Sequence, residues 1–278
     1  VSGRQNNLLA QALQQGAQAL RTQQFGLAEK IATEILKSSR TDRNAALILA
    51  HALRGQNRAG EAIAPLERVA RRGNDGEIET LLGASLCDSG RAPDGIEQLR
   101  RTAARRPLYL PAFQELAGQL AKAGRFDEAI RTIQDGVELA PESVDLKLDL
   151  GRLLQQNGER AKARDVLTIA RDAAPGRTDI LSELGRVLLL EGDYTAAADA
   201  YRHALALRPD DGLTRANLAT CLMEKGERDA AEAALRVVMK GRPHLLGRAA
   251  YVLAASSHGR FFFDLSAVAK FLGENRLE

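Results

Sequence analysis

The side chains of this chain best suited to metal binding or nucleophilic attack are four histidines and two cysteines. A metal site needs two ligands about one helical turn apart, or a close Cys–His cluster. His51, His203, His244 and His258 form no HxxxH or HxxE pair, and Cys87 and Cys221 stand far apart in the chain. No G-x-S-x-G nucleophile motif occurs. The glycines are spread out and do not cluster into a phosphate-binding loop. Catalysis needs converging groups, and none converge. The residues therefore predict no active site, no metal and no cofactor.

Arginine chemistry is what remains. A guanidinium grips a carboxylate through two parallel hydrogen bonds, and Arg152 and Arg186 stand 34 residues apart. The densest basic run is Arg100-Arg101-Thr-Ala-Ala-Arg105-Arg106, at the predicted end of a helix, where cations complement the helix dipole. The formal net charge is only +3, and the run lacks interleaved aromatic residues that would stack on bases. It reads as solvated surface, and nucleic acid is a disfavoured partner. No stretch of apolar residues is long enough to predict a membrane-spanning helix.

The elements that must position these residues announce themselves through proline. Pro107, Pro141, Pro175, Pro209 and Pro243 follow one another at steps of 34. Proline cannot continue a helix, so helix ends recur at that interval. Small residues keep the same beat: Ala28, Ala62, Gly95, Ala129, Ala163, Ala197 and Ala231, with Gly16, Ala50, Gly83, Ala117, Gly151, Gly185 and Ala219 twelve residues earlier. They allow two helices to approach and cross. Between them Gly90, Gly124, Gly158, Gly192 and Gly226 fit helix C-caps. Leu181, Leu184, Val187 and Leu188 show helical apolar spacing, as do Ala197, Tyr201, Ala204 and Leu205. Each unit reads as helix, turn, helix, proline, and stacking neighbours must bury the core. Unit starts fall near residues 9, 43, 76, 110, 144, 178 and 212. Residues 1–8 are read as a lead-in and 9–244 as seven repeats. Pro65 inside the second helix of unit two predicts a kink or local break.

With these positions in hand, the chain resembles a tetratricopeptide repeat protein. The sixth unit carries the family pattern through Leu181, Leu184, Gly185, Leu188, Gly192, Tyr194, Ala197, Tyr201, Ala204 and Pro209. The fourth does so through Phe113, Leu116, Ala117, Leu120, Gly124, Phe126, Ala129, Ile133 and Pro141. The resemblance implies an all-α, right-handed superhelical solenoid of antiparallel helix pairs. It also implies that the second, fifth, ninth and twelfth positions of each first helix line a concave groove. Those positions give His51, Arg54 and Gln114 in the earlier units. In the later units they give Arg152, Gln155, Ser182, Arg186, Leu189, Thr220 and Met223. The implied partner is a protein or peptide segment, with an acidic side chain near Arg152 and Arg186. The competing reading pairs both arginines with Asp145, Asp149, Asp179 or Glu183, within a turn or two. Chaperone-tail-binding members carry Lys and Asn at the fifth and ninth positions, and here those hold Leu47/His51 through Ser182/Arg186, so that docking is not expected.

Beyond Pro243 the pattern degrades into an atypical helix pair over 245–278, read as a cap. Phe261, Phe262 and Phe263 either plug the end of the stack or contact a second copy or a following domain. The fold and groove imply a non-catalytic scaffold or adaptor. Two alternatives are the substrate-recruiting region of a larger enzyme, such as a glycosyltransferase, and an assembly factor for envelope polysaccharide or pilus export. Arginine-over-lysine, alanine-rich composition resembles bacterial proteins from GC-rich genomes. Val1 is not an initiator methionine and opens no leader pattern. The expectation is a cytoplasmic protein, or a periplasmic one if an upstream leader has been removed.

Overall fold

The computed structural model describes residues 2–241, and among these it contains fourteen α-helices and no strand. The chain divides into two compact units, residues 1–142 and 143–278. The first holds α1 (Ser2–Arg21), α2 (Phe25–Ser38), α3 (Arg43–Gly55), α4 (Ile63–Ala70), α5 (Gly76–Asp88), α6 (Ala92–Ala103), α7 (Leu110–Lys122) and α8 (Phe126–Leu139). The second holds α9 (Val144–Gln156), α10 (Arg160–Ala173), α11 (Thr178–Glu191), α12 (Tyr194–Leu207), α13 (Gly212–Glu224) and α14 (Arg228–Gly241). Helix α1 already includes residues 2–8, so the expected lead-in is part of the first helix. Phe261, Phe262 and Phe263, and the helix pair expected after Pro243, lie outside the described residues.

Starts and stops follow from single side chains. Asp42, Asp75, Ser143, Asp193 and Asp211 each accept a backbone N–H in the first turn of the next helix. This satisfies donors that a helix start otherwise leaves unpaired. Each first helix ends in the same hydrogen bond, in which an amide beyond the turn donates back to a carbonyl, that of Ala19 in α1 and of a leucine in the other six. Leu53, Leu86, Leu120, Leu154, Leu188 and Leu222 accept it in turn. The turn requires a left-handed residue. Gly90, Gly124, Gly158, Gly192 and Gly226 supply it at φ between 74° and 87°, while Gln23 and Asn57 hold the same place in the first two units. The break expected near Pro65 is present: a 3₁₀ turn over Ala59–Ala62 precedes α4, and Pro65 lies in the first turn of that short helix.

Packing repeats one rule within each unit. A first helix touches its own second helix and the next first helix, and the second helix touches that next first helix too. Thus α5 packs on α6 and α7, and α6 on α7; α11 packs on α12 and α13, and α12 on α13. At six of the seven crossings a large apolar side chain of the second helix is buried, namely Leu66, Leu99, Ile133, Leu167, Tyr201 and Leu235, while the first pair has the small Ala32 there. Burial of one such side chain contributes about 1.5–3 kcal/mol. The small residues opposite make room. A Cβ on Gly83 would come within 2.6 Å of Leu99, on Gly151 within 2.5 Å of Leu167, and on Gly185 within 2.7 Å of Tyr201.

Candidate functional site

Because first helices touch one another along each unit, α3, α5 and α7 form one row and α9, α11 and α13 another. Side chains projecting from a row are positioned by the turn chemistry and the small-residue crossings behind it. In the second unit the structure brings together three of the groove candidates, Arg152, Gln155 and Arg186, with Ser182 bonded separately. Arg152 donates through Nε to Oε1 of Glu183 at 3.1 Å and stands 3.6 Å from Oδ1 of Asp149. Arg186 donates through Nε and Nη2 to the other oxygen of Glu183, at 2.8 and 2.5 Å. Its Nη1 donates to the side-chain carbonyl of Gln155. Ser182 Oγ lies 3.0 Å from Thr214 Oγ1. Since the Thr214 hydroxyl donates to Asp211, Ser182 is the donor.

The carboxylate between Arg152 and Arg186 therefore belongs to this chain. Of the two readings of these arginines, internal pairing is the one realised: two guanidinium groups face Glu183 and Asp149, and their charges cancel. All four are at least partly exposed, so the pairing contributes little to stability. Its effect is to fix side-chain direction.

The remaining candidates are dispersed. Thr220 donates to the carbonyl of Ala216 in its own helix, and Leu189 is half-buried. Met223 was expected to offer apolar contact in the groove, but it is only 4 % exposed and belongs to the core. A flexible, unbranched thioether fills irregular interior space readily, and α13 is buried on most of its circumference. In the first unit Arg54 donates to Asp88 at 2.7 Å and lies 3.5 Å from Glu115, so one guanidinium links α3, α5 and α7. Gln114 is half-buried on α7. His51 is exposed, yet surrounding protein and the nearby Arg54 push its pKa down, with Glu77 opposing them.

Sequence reasoning missed Asp88 and Glu115. The available signal is spacing: groove pairs join residues about one repeat apart, as in Arg54–Asp88, Arg152–Glu183 and Arg186–Gln155. The cysteines remain free thiols. Burial is the main reason their pKa values rise, to about 11 for Cys87 and about 12 for Cys221, which leaves both protonated and unreactive near neutrality. Tyr201 is fully buried, and its hydroxyl faces toward Asn217 without completing a hydrogen bond. Among the described residues, no group of three or more His, Cys, Asp or Glu side chains is placed to hold a metal ion. No described helix is long and apolar enough to cross a membrane.

Two tetratricopeptide-repeat family models match, over residues 148–212 and 188–255. Residues 148–255 are tetratricopeptide repeats. Solved structures with the same fold include PilF of Pseudomonas aeruginosa, 16% identical, covering 73% of this chain and 93% of that one with a TM-score of 0.57. A chain of the APC/C hetero-tetramer Cut9–Hcn1 is 19% identical over 90% of this chain and 47% of its own, with a TM-score of 0.55. MamA is 19% identical over 60% of this chain and 97% of its own, with a TM-score of 0.53. At these identities the likeness is one of fold. No curated protein sequence matches the chain. The repeats are of a kind that serves protein–protein interaction, and the solved structures add the fold alone.

Proposed function

We propose that the chain is a non-catalytic scaffold of seven repeats over residues 9–244, which holds a segment of a partner protein along its rows of first helices. One observation carries this reading. The half-exposed polar side chains of those rows, Arg54, Arg152, Gln155 and Arg186, are held in fixed directions by partners on the neighbouring helix. A surface set in advance loses less side-chain entropy on binding. Because Glu183 and Asp149 already neutralise Arg152 and Arg186, recognition there is by polar and apolar fit, with Leu189 as the apolar contact, and does not require an acidic anchor. The two free thiols suit a reducing compartment such as a bacterial cytoplasm.

Site-specific photo-crosslinking in the native cell tests this. Probes at His51 and Leu189 on first helices are compared with a probe at exposed Ile169 on α10. A partner trapped from His51 and Leu189, and absent at Ile169, is the expected outcome. Trapping from Ile169 alone would overturn the reading.

A further inference from the structure

Three successive loops of the first unit carry arginines that no carboxylate among the described residues neutralises. Arg40 lies between α2 and α3, Arg71 and Arg72 lie between α4 and α5, and Arg106 lies between α6 and α7; all four are exposed. Among the described residues, none of them has a carboxylate within 4 Å, whereas four neighbouring cations do, and Arg68 donates only to the Ala64 carbonyl. Lys37 pairs with Glu34, Arg100 with Glu128, Arg101 with Glu97, and Arg105 with Glu79. Arg106 donates only to the carbonyls of Ala104 and Arg105. Glu67, a turn before Arg71, is half-buried and does not reach it.

These loops are physically tied into one edge. Arg43, at the start of α3, donates to Asp75 and Glu77 across the α4–α5 loop. Arg105, just beyond α6, donates to Asn74 of that same loop at 2.9 Å and to Glu79. The ties also consume the edge's carboxylates, so Asp75, Glu77 and Glu79 are committed and Asp42 caps α3. The helix dipole accounts for Arg71, the C-cap of α4, but not for the other three. Its effect falls off within the last turn, which covers Lys37, Arg68 and Arg100. Arg40, Arg72 and Arg106 lie beyond the helix ends.

We propose that this edge is a second docking surface, separate from the first-helix rows, for an extended acidic segment of a partner protein. Helices pack about 10 Å apart and an extended chain rises about 3.3 Å per residue. Successive loops therefore meet roughly every third residue of such a segment. Guanidinium forks suit carboxylates at that spacing. Polynucleotide is the less suited occupant, because the aromatic ring of the third loop, Tyr109, is half-buried and packed against Gly76. Residues 242–278 are not such an acidic segment, since they carry five Arg or Lys and three Asp or Glu. The basic strip also stops at the third loop, since the end of α8 carries Asp135 and Glu138 and the next loop Glu142.

Fluorescence anisotropy on the full chain tests the proposal, with a labelled Glu-Gly-Gly repeat peptide, its Gln-Gly-Gly counterpart and a single-stranded oligonucleotide of equal charge. The comparison is among wild type, the variant R40Q/R71Q/R72Q/R106Q, and R152A/R186A. The acidic peptide should bind wild type and R152A/R186A alike, more weakly as salt rises. It should lose about tenfold in affinity with the four glutamines, the sum of several weak exposed pairs. These arginines make no carboxylate pairs, so an unchanged thermal melt checks that the quadruple variant is folded. No binding to wild type, equal binding to the Gln-Gly-Gly peptide, equal affinity of the quadruple variant, or tighter binding of the oligonucleotide than of the acidic peptide would each overturn it. Loss in R152A/R186A alone would return the acidic partner to the first-helix row.

Discussion

Gln23 occupies a left-handed turn at φ 57° that five later units assign to glycine. A residue with a Cβ pays about 1–2 kcal/mol for that conformation, and glutamine lacks the local hydrogen bonding that helps Asn57 tolerate it. Replacing Gln23 with Gly should therefore stabilise the first unit by about 1 kcal/mol, read as a higher urea midpoint. The opposite substitution is expensive where space is short. Gly185→Ala would push a methyl to 2.7 Å from the ring of Tyr201, which is fully buried and has nowhere to move. It should destabilise by about 1–3 kcal/mol in the same assay. Gly118, on exposed helix surface with nothing within 4 Å of an added Cβ, provides the control: its alanine variant should be neutral or slightly stabilising.

Individual helices depend on their first residues. Burial alone would raise the pKa of Asp211. Hydrogen bonds from the Thr214 amide and hydroxyl and from the Leu213 amide outweigh it and hold the carboxyl below its usual range. The unfolded chain then binds more protons than the native one as the pH falls. The stabilisation is present above the unfolded value of about 3.9 and is lost as pH drops through the depressed native value. Asp211→Ala should cost about 1 kcal/mol at pH 7. The difference from wild type should shrink toward zero in acid, which urea titrations at several pH values would reveal. At this scale the sequence was largely legible. Turn glycines, prolines and small residues act on the backbone within a few positions of themselves. The split of the second helix in unit two was foretold by Pro65, although the 3₁₀ turn lies just ahead of it.

Across the molecule, each helix touches only near neighbours in the chain, so a defect should be felt locally. Leu66→Ala removes a fully buried side chain of α4, at about 2–5 kcal/mol. Hydrogen exchange should accelerate first in α3, α4 and α5, while α11 to α13 keep their protection. Uniform acceleration of both units would contradict this. The candidate sites belong to the same scale, and here the sequence was a weaker guide. Periodicity alone determined that helix pairs repeat, where their turns fall and which residues cross closely, because those features rest on backbone conformation and side-chain size. Only the tertiary structure decided that Glu183 sits between Arg152 and Arg186, that Arg54 reaches Asp88 and Glu115, and that Met223 is core. Those outcomes depend on which side chains from helices a repeat apart come within about 3 Å of each other. A linear repeat specifies the register of the helices, whereas the reach of a flexible side chain across a crossing depends on the crossing itself.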